Sequence, residues 1–321
     1  MISSSFAEKN GAFVPVSSDS LEKTFKSSKL VWVDFEPVSS KDIEFVEKFV
    51  NLHPLTVEAI FAQNKRPKYQ EFDEYVFLVF YGVEFNNGKV TPLEFDVVLG
   101  KNFLFSFHSK PIESIKSVVK DISENKLSLK KGPDYLLYSL LDTIIDNLYL
   151  VVDRLNGLID EAEDEIFSGA PNSKFLRKLF RLKRNVVSFR KIIFPQRETL
   201  GFLYKREGNF VDKADSIYFR DLSDHIITLS EFIDNQRDMV SDAFDAYLSV
   251  ISNRLNEIMK VLTIIATIIL PMSLVAGYFG MNVEFFEYGV FGKEGTQLLA
   301  LVLILLIAVV MLYWFRKKKW I

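Results

Sequence analysis

Two stretches near the C-terminal end dictate most of what this chain can become. From Val261 to Val283, and again from Gly295 to Phe315, no side chain carries a charge. At about 1.5 Å of rise per residue, roughly 20 helical residues cross a hydrocarbon core of about 30 Å, so each stretch is long enough for a membrane helix. The flanks set the orientation. Lys260 precedes the first stretch and Arg316, Lys317, Lys318 and Lys319 follow the second, whereas the loop between them sets Glu284, Glu287 and Glu294 against a lone Lys293. Lys and Arg favour the cytoplasmic side, which predicts a multi-pass protein of the cell (plasma or inner) membrane with both termini cytoplasmic and the loop outside. Asn282 then sits at the external mouth of the first span, while Tyr313, Trp314 and Trp320 read as interfacial anchors at the inner face.

Composition narrows the chemistry. The 321 residues carry a net charge of only −3, so no basic excess points to nucleic acid. Cysteine is absent, which removes disulfides and thiolate metal sites, and His53, His108 and His225 lie far apart in sequence. The N-terminus, MISSSFAEKN, shows neither a secretory signal nor an organelle transit pattern, so the large N-terminal part is expected in the cytosol.

Residues 29–38, 75–85 and 93–108 are rich in Val, Phe and Tyr and predict strands, with a hairpin turn signal at Asn86-Asn87-Gly88 and helical periodicity in 40–63. These features predict an α/β domain over 1–132. Beyond Gly132-Pro133 the pattern turns helical: one helix from about Asp134 to Phe167, and a second from about Asn172 to Phe194, stopped by Pro195. This hairpin, 133–208, sets Asp160, Glu161, Glu163, Asp164 and Glu165 against Lys174, Arg177, Lys178, Arg181, Lys183 and Arg184. Complementary solvated faces account for both runs; cation sensing by the acidic run is the other reading. No Gly or Pro occurs from Asn209 to Leu270, so a stalk helix over 209–260 is expected to continue unbroken into the first span, 261–283. An external loop (284–294), a second span (295–315) and a basic tail (316–321) complete the division. A helix that long cannot bury its faces within one chain, so it is expected to pack against copies of itself.

Met259, Leu262, Ala266, Leu270, Ser273, Gly277 and Gly280 recur three or four apart and share one helix face. Close helix packing through small side chains is one reading. The other is a pore lined by these positions, narrow at Met259 and Leu262. Asn256, Thr263, Thr267 and Ser273 add amides and hydroxyls but no charge. Mg²⁺ gives up its water reluctantly, so a ring of neutral amide oxygens suits an ion contacted through its hydration shell. At Asn282 a plain helix-capping role stands beside that one.

The string KVLTIIATIILPMSLVAGYFGMNVE, followed by a short acidic loop, a second span and RKKKWI, resembles the CorA family of magnesium transport proteins. Gly280-Met281-Asn282 matches that family's Gly-Met-Asn hallmark, and HPLTVEAIFAQNKRPK (53–68) and YFRDLSDH (218–225) resemble family segments, so the likeness spans nearly the whole chain. The resemblance implies a funnel-shaped homopentamer in the bilayer, with a cytosolic α/β domain, a long stalk helix that continues as the pore helix, and an outer ring of second spans. It implies Gly280, Met281 and Asn282 as the selectivity filter for hydrated Mg²⁺ and a constriction at Met259 and Leu262 with Asn256 below; membrane potential, about 2.3 kcal/mol per charge per 100 mV, suffices for passive influx, and Co²⁺ and Ni²⁺ are expected to pass as well. Mg²⁺ is then both substrate and regulator, through an acidic pair that bridges neighbouring subunits and closes the channel. Asp221 matches one member of the pair. The other falls on Ala59, where the related motif usually reads Glu-Asp and this chain reads Glu58-Ala59. Glu58, Asp224 or the 160–165 run are the candidate replacements.

Two rivals remain at this stage: a Zn²⁺, Co²⁺ or Ni²⁺ transporter of the same architecture, and a membrane-tethered enzyme or scaffold. The second lacks support in sequence. Gly292-Lys293-Glu294 is not a phosphate loop, and neither Gly-x-Ser-x-Gly nor His-Glu-x-x-His occurs.

Overall fold

The computed structural model describes residues 2–9, 12–17, 20–62, 66–124, 132–168, 173–205, 210–281 and 292–320. Two compact units result, Met1–Phe244 and Asp245–Ile321.

The first unit is built on a seven-stranded sheet in the order β2-β1-β3-β7-β6-β5-β4. The strands are β1 (Ile2–Lys9), β2 (Ala12–Pro15), β3 (Val31–Phe35), β4 (Lys68–Glu71), β5 (Val76–Asn86), β6 (Lys89–Leu99) and β7 (Phe103–Phe107). Only β3 and β7 pair in parallel; every other neighbouring pair is antiparallel. The hairpin turn expected between β5 and β6 is present, with Asn87 at φ 50° and Gly88 at φ 71°. Two successive left-handed residues make the tight turn that matches strand twist, and Asn-Gly adopts it at least cost.

The apolar run 93–108, read from sequence as one strand, is two. Gly100 breaks it: its N–H donates to the Phe103 carbonyl at 2.9 Å, and a Cβ built at Gly100 would lie 2.2 Å from the Phe103 ring. Only glycine lets the chain double back there. Short helices α1 (Leu21–Ser27), α2 (Ser40–Val46), α3 (Pro54–Phe61) and α4 (Glu113–Ser123) join the strands. The periodicity in 40–63 thus resolves into two helices, the second opened by Pro54 at its first turn.

Helices α5 (Pro133–Ser168) and α6 (Ser173–Lys205) follow. The sequence predicts that Pro195 stops the second, yet α6 runs on to Lys205 with Pro195 inside it. Burial offsets the lost backbone hydrogen bond. Gln196 is fully buried and its Oε1 accepts the Tyr81 N–H of β5 at 3.0 Å, while Thr199, Leu200 and Leu203 are buried beyond it. Earlier in α6, Asn185 grips the hairpin by donating to Gly88 O (2.8 Å) and accepting from Val90 N (3.3 Å). The charged runs meet as expected, with Lys178 Nζ 3.0 Å from Glu165 and 3.9 Å from Glu161.

Helix α7 (Ser216–Phe279) is 64 residues long and belongs to both units. It starts later than the expected 209. A turn at 212–215 precedes it, fastened where the Asp134 carboxylate accepts the Asp212 N–H at 2.9 Å. Gln236 then ties α7 to α5, donating to Val152 O and Asn156 Oδ1 at 2.8 Å each, and Arg190 of α6 pairs with Asp234 at 2.9 Å. The second unit holds the remainder of α7 and α8 (Gly292–Lys317).

Candidate functional site

Among the described residues, three helices are long and apolar enough to cross a membrane: α5, α7 and α8. Their surroundings separate them. In the most apolar window of α5, 56% of residues are buried inside the protein, against 0% for α7 and 11% for α8. The apolar side of α5, from Leu136 through Leu155, is core. Among the described residues, most of the apolar surface of the α7 and α8 spans is left uncovered within the chain.

On α7 the expected stripe is largely open. Met259, Leu262 and Leu270 are 57, 57 and 69% exposed, Ser273 and Gly277 are exposed, and Ala266 is half-buried. Ile264 gives the reference direction, because it is the buried side chain of this segment. At about 100° per residue, Met259, Leu262, Ala266, Leu270, Ser273 and Gly277 fall about 120–180° round the helix from Ile264. Lys260, by contrast, lies about 40° from it, and its Nζ reaches the Lys319 carbonyl beyond the end of α8 at 3.3 Å. The middle of the stripe, Leu262 through Gly277, therefore turns away from the side of α7 that meets α8, whereas Met259 lines a groove with Lys318, Lys319 and Trp320, and Gly280 lines another with Thr296, Gln297 and Ala300 of α8. Asn256 lies about 80° from Ile264, off the stripe, and lines a groove with Met259, Lys260, Thr263, Lys318, Lys319 and Trp320. Thr263 and Thr267 donate their hydroxyls to Met259 O and Thr263 O, at 2.7 Å each, which leaves both oxygens as acceptors.

The helix ends at Phe279. Gly280 continues as a turn, its N–H donating to Ala276 O at 2.9 Å, and Met281 is 60% exposed. Asn282 lies outside the described residues, as does most of the expected external loop.

The regulatory candidates are not brought together within one chain. Glu58, Asp221 and Asp224 are all exposed, and no hydrogen bond or ion pair joins Glu58 to either aspartate. Ala59 is buried, at 6% exposure, so its side chain faces the core. What surrounds Asp221 was not anticipated from sequence. His225 Nε2 stands 3.8 Å from its carboxylate, and Asp142 of α5 is close enough to feel both. Burial, then the neighbouring charges of Asp146 and Asp221, raise the Asp142 pKa against the opposing pull of His225. Burial together with Asp142 and Asp221 pushes Tyr138 up to about 12. The i, i+4 spacings Asp142/Asp146 and Asp221/His225 were visible in the sequence; that the two helices face each other was not. Among the described residues, no three His, Asp or Glu side chains converge to hold a metal ion within one chain.

A sheet-based body, one helix that runs on from it as a full-length apolar span, and a second exposed span define a two-span integral membrane protein. The sequence model of the CorA-like Mg²⁺ transporter protein family matches residues 27–317. The chain is 36% identical over 299 residues to the cobalt/magnesium transport protein CorA of Thermotoga maritima, covering 92% of this chain and 84% of that one. It is 31% identical over 297 residues to the putative metal ion transporter YfjQ of Bacillus subtilis, covering 90 and 89%. Its fold superimposes on the complete CorA magnesium transporter of Methanocaldococcus jannaschii with a TM-score of 0.89 at 21% identity, over 100% of this chain and 99% of that one. The chain belongs to the CorA-like Mg²⁺ transporter family, and divalent-cation transport is its class of activity.

Proposed function

We propose that several copies of this chain assemble with their α7 helices around a central path, and that hydrated Mg²⁺ moves inward along it, driven by membrane potential. The observation that carries the reading is the uncharged stripe of α7, largely exposed in one chain and, from Leu262 through Gly277, turned away from α8. Such a surface is satisfied by copies of itself, and two helices cannot enclose water. A homopentamer is the assembly we adopt. In it the stripe becomes a lining with Met259 and Leu262 at the narrow cytoplasmic end, Asn256 on its flank, and Ala266, Leu270, Ser273 and Gly277 toward the outside. Gly280, Met281 and Asn282 form the external filter, where a ring of amide oxygens meets the ion's own waters. A potential of 100 mV contributes about 2.3 kcal/mol per charge, hence about 4.6 for a divalent cation, so no coupled ATPase is required. Intracellular Mg²⁺ closes the path by bridging subunits through Asp221, with Glu58 and Asp224 as partners supplied by the neighbouring copy.

Cobalt is the second substrate to weigh, since the Thermotoga relative bears both metals in its name. The test is Mg²⁺ flux into proteoliposomes under an imposed inside-negative voltage, with Co²⁺ as competitor. Voltage-dependent uptake is expected, and Asn282→Ala is expected to abolish it while leaving an inserted oligomer. Full flux in that variant removes the filter assignment.

A further inference from the structure

The C-terminal end of α8 is built more carefully than a charged tail requires. Lys319 takes a left-handed backbone conformation, φ 56°, at a helix-terminating position that ordinarily favours glycine. Its N–H donates to Arg316 O (3.1 Å), and the Trp320 N–H donates to Phe315 O (3.0 Å), which folds the Trp320 ring back onto Phe315 at 5.6 Å between centroids. The Lys319 carbonyl released by this turn receives the Lys260 ammonium of α7. The result is a groove between the ends of α7 and α8, lined by Asn256, Met259, Lys260 and Thr263 of α7 and by Lys318, Lys319 and Trp320.

The charge of this region is uncompensated. Lys260, Arg316, Lys317, Lys318 and Lys319 have no carboxylate partner among the described residues; Lys318 instead lies over the Trp314 ring at 5.5 Å. One of the three Lys260 hydrogens is committed to Lys319 O, leaving two, and the Lys319 ammonium is unengaged. The groove also begins where the apolar span ends, beside two half-exposed tryptophans at the depth of a membrane interface. Cations at that depth, between two spans, match a phosphate attached to acyl chains better than one free in water. We infer that this groove binds the headgroup of an anionic phospholipid, with Lys260, Lys318 and Lys319 as phosphate donors and Trp320 as the apolar wall. The inference rests on α7 and α8 crossing a bilayer, and the experiment below separates the two.

The full chain is placed in phosphatidylcholine vesicles doped, at matched mole fraction, with brominated phosphatidylcholine or brominated phosphatidylglycerol, and tryptophan quenching is read. Trp32 is fully buried in the sheet and supplies an unquenched background. Brominated phosphatidylglycerol is expected to win over brominated phosphatidylcholine by roughly fivefold or more in apparent affinity. The triple variant Lys260→Gln, Lys318→Gln, Lys319→Gln is expected to lose that preference, and Lys319→Gln alone to weaken it should the triple fail to insert. Arg316→Gln with Lys317→Gln removes charge outside the groove lining and is expected to keep most of it. Equal loss in both sets means diffuse attraction and overturns the site. Relief of quenching by soluble glycerol phosphate means a free-anion site and overturns the lipid assignment. Quenching by neither brominated lipid removes the membrane placement, and the proposal with it.

Discussion

Helices α5 and α7 look alike to any measure of apolar content, and they meet opposite fates. Both exceed 30 residues and both contain a window apolar enough for a bilayer, but that of α5 is 56% buried and that of α7 is not buried at all. Partners make the difference. α5 lies against β5, close enough that a Cβ added at Gly82 would meet Ile144 at 3.5 Å, and it receives Gln236 of α7 on another side. Past Lys260, α7 carries no charge, and among the described residues its neighbour is the second span. An apolar helix is a core element when the same chain supplies its cover; otherwise its cover is lipid or another copy.

Substitutions at matched leucines break this comparison most directly. Leu140 of α5 is fully buried, and Leu140→Ala is expected to destabilise the Met1–Phe244 unit by about 2–5 kcal/mol. Leu270 of α7 is 69% exposed, and Leu270→Ala is expected to stay within about 0.5 kcal/mol. Denaturant titration of the detergent-solubilised chain reads both; equal losses would erase the distinction drawn here. Leu262→Ala tests the other half. It is expected to leave folding intact and raise Mg²⁺ leak through the closed state several-fold, and a closed-state leak unchanged from the parent would remove Leu262 from the constriction. A smaller effect is expected from Asp221→Ala, which should weaken closure at high internal Mg²⁺; current run-down in excised patches reports it, and unaltered run-down would exclude this carboxylate as a sensor.

The gentlest probe is pH. Trp32 donates to Ser106 Oγ at 3.0 Å, Ser106 donates to Asp34, and His108 Nε2 lies 3.1 Å from the same carboxylate, all buried. Burial alone would lower the His108 pKa, but the hydrogen bond and charge of Asp34, with smaller help from the Lys110 carbonyl and Glu36, outweigh it and raise the value. A histidine raised in the folded state contributes stability that is complete below its unfolded pKa of about 6.5 and is lost as pH climbs through the folded one. The thermal stability of the Met1–Phe244 unit should therefore fall above about pH 6.5, and His108→Gln should flatten that slope. The stretch from Val261 to Phe279 holds no carboxylate, imidazole or amine and should contribute no such slope.

The spans, the long uninterrupted helix and the β5–β6 turn were legible because each rests on a local rule: charge-free length, absence of Gly and Pro, a left-handed Asn-Gly. The continuation through Pro195 was not, because what overrides proline is Gln196 bonding to a strand 115 positions earlier in sequence. For the same reason the neighbourhood of Asp221 escaped notice. Spacing identifies Asp142/Asp146 and Asp221/His225 separately, and only tertiary packing sets one pair against the other.

The absence of Gly and Pro between Ser216 and Leu270 has a mechanical meaning. Asp221 and Leu262 belong to the same helix, with no Gly or Pro between them. A helical stretch without Gly or Pro has no built-in kink point, so a local twist must be taken up by its i to i−4 backbone hydrogen bonds. On the proposed reading, the candidate sensor Asp221 and the candidate constriction Leu262 are joined by continuous helix rather than by a loop.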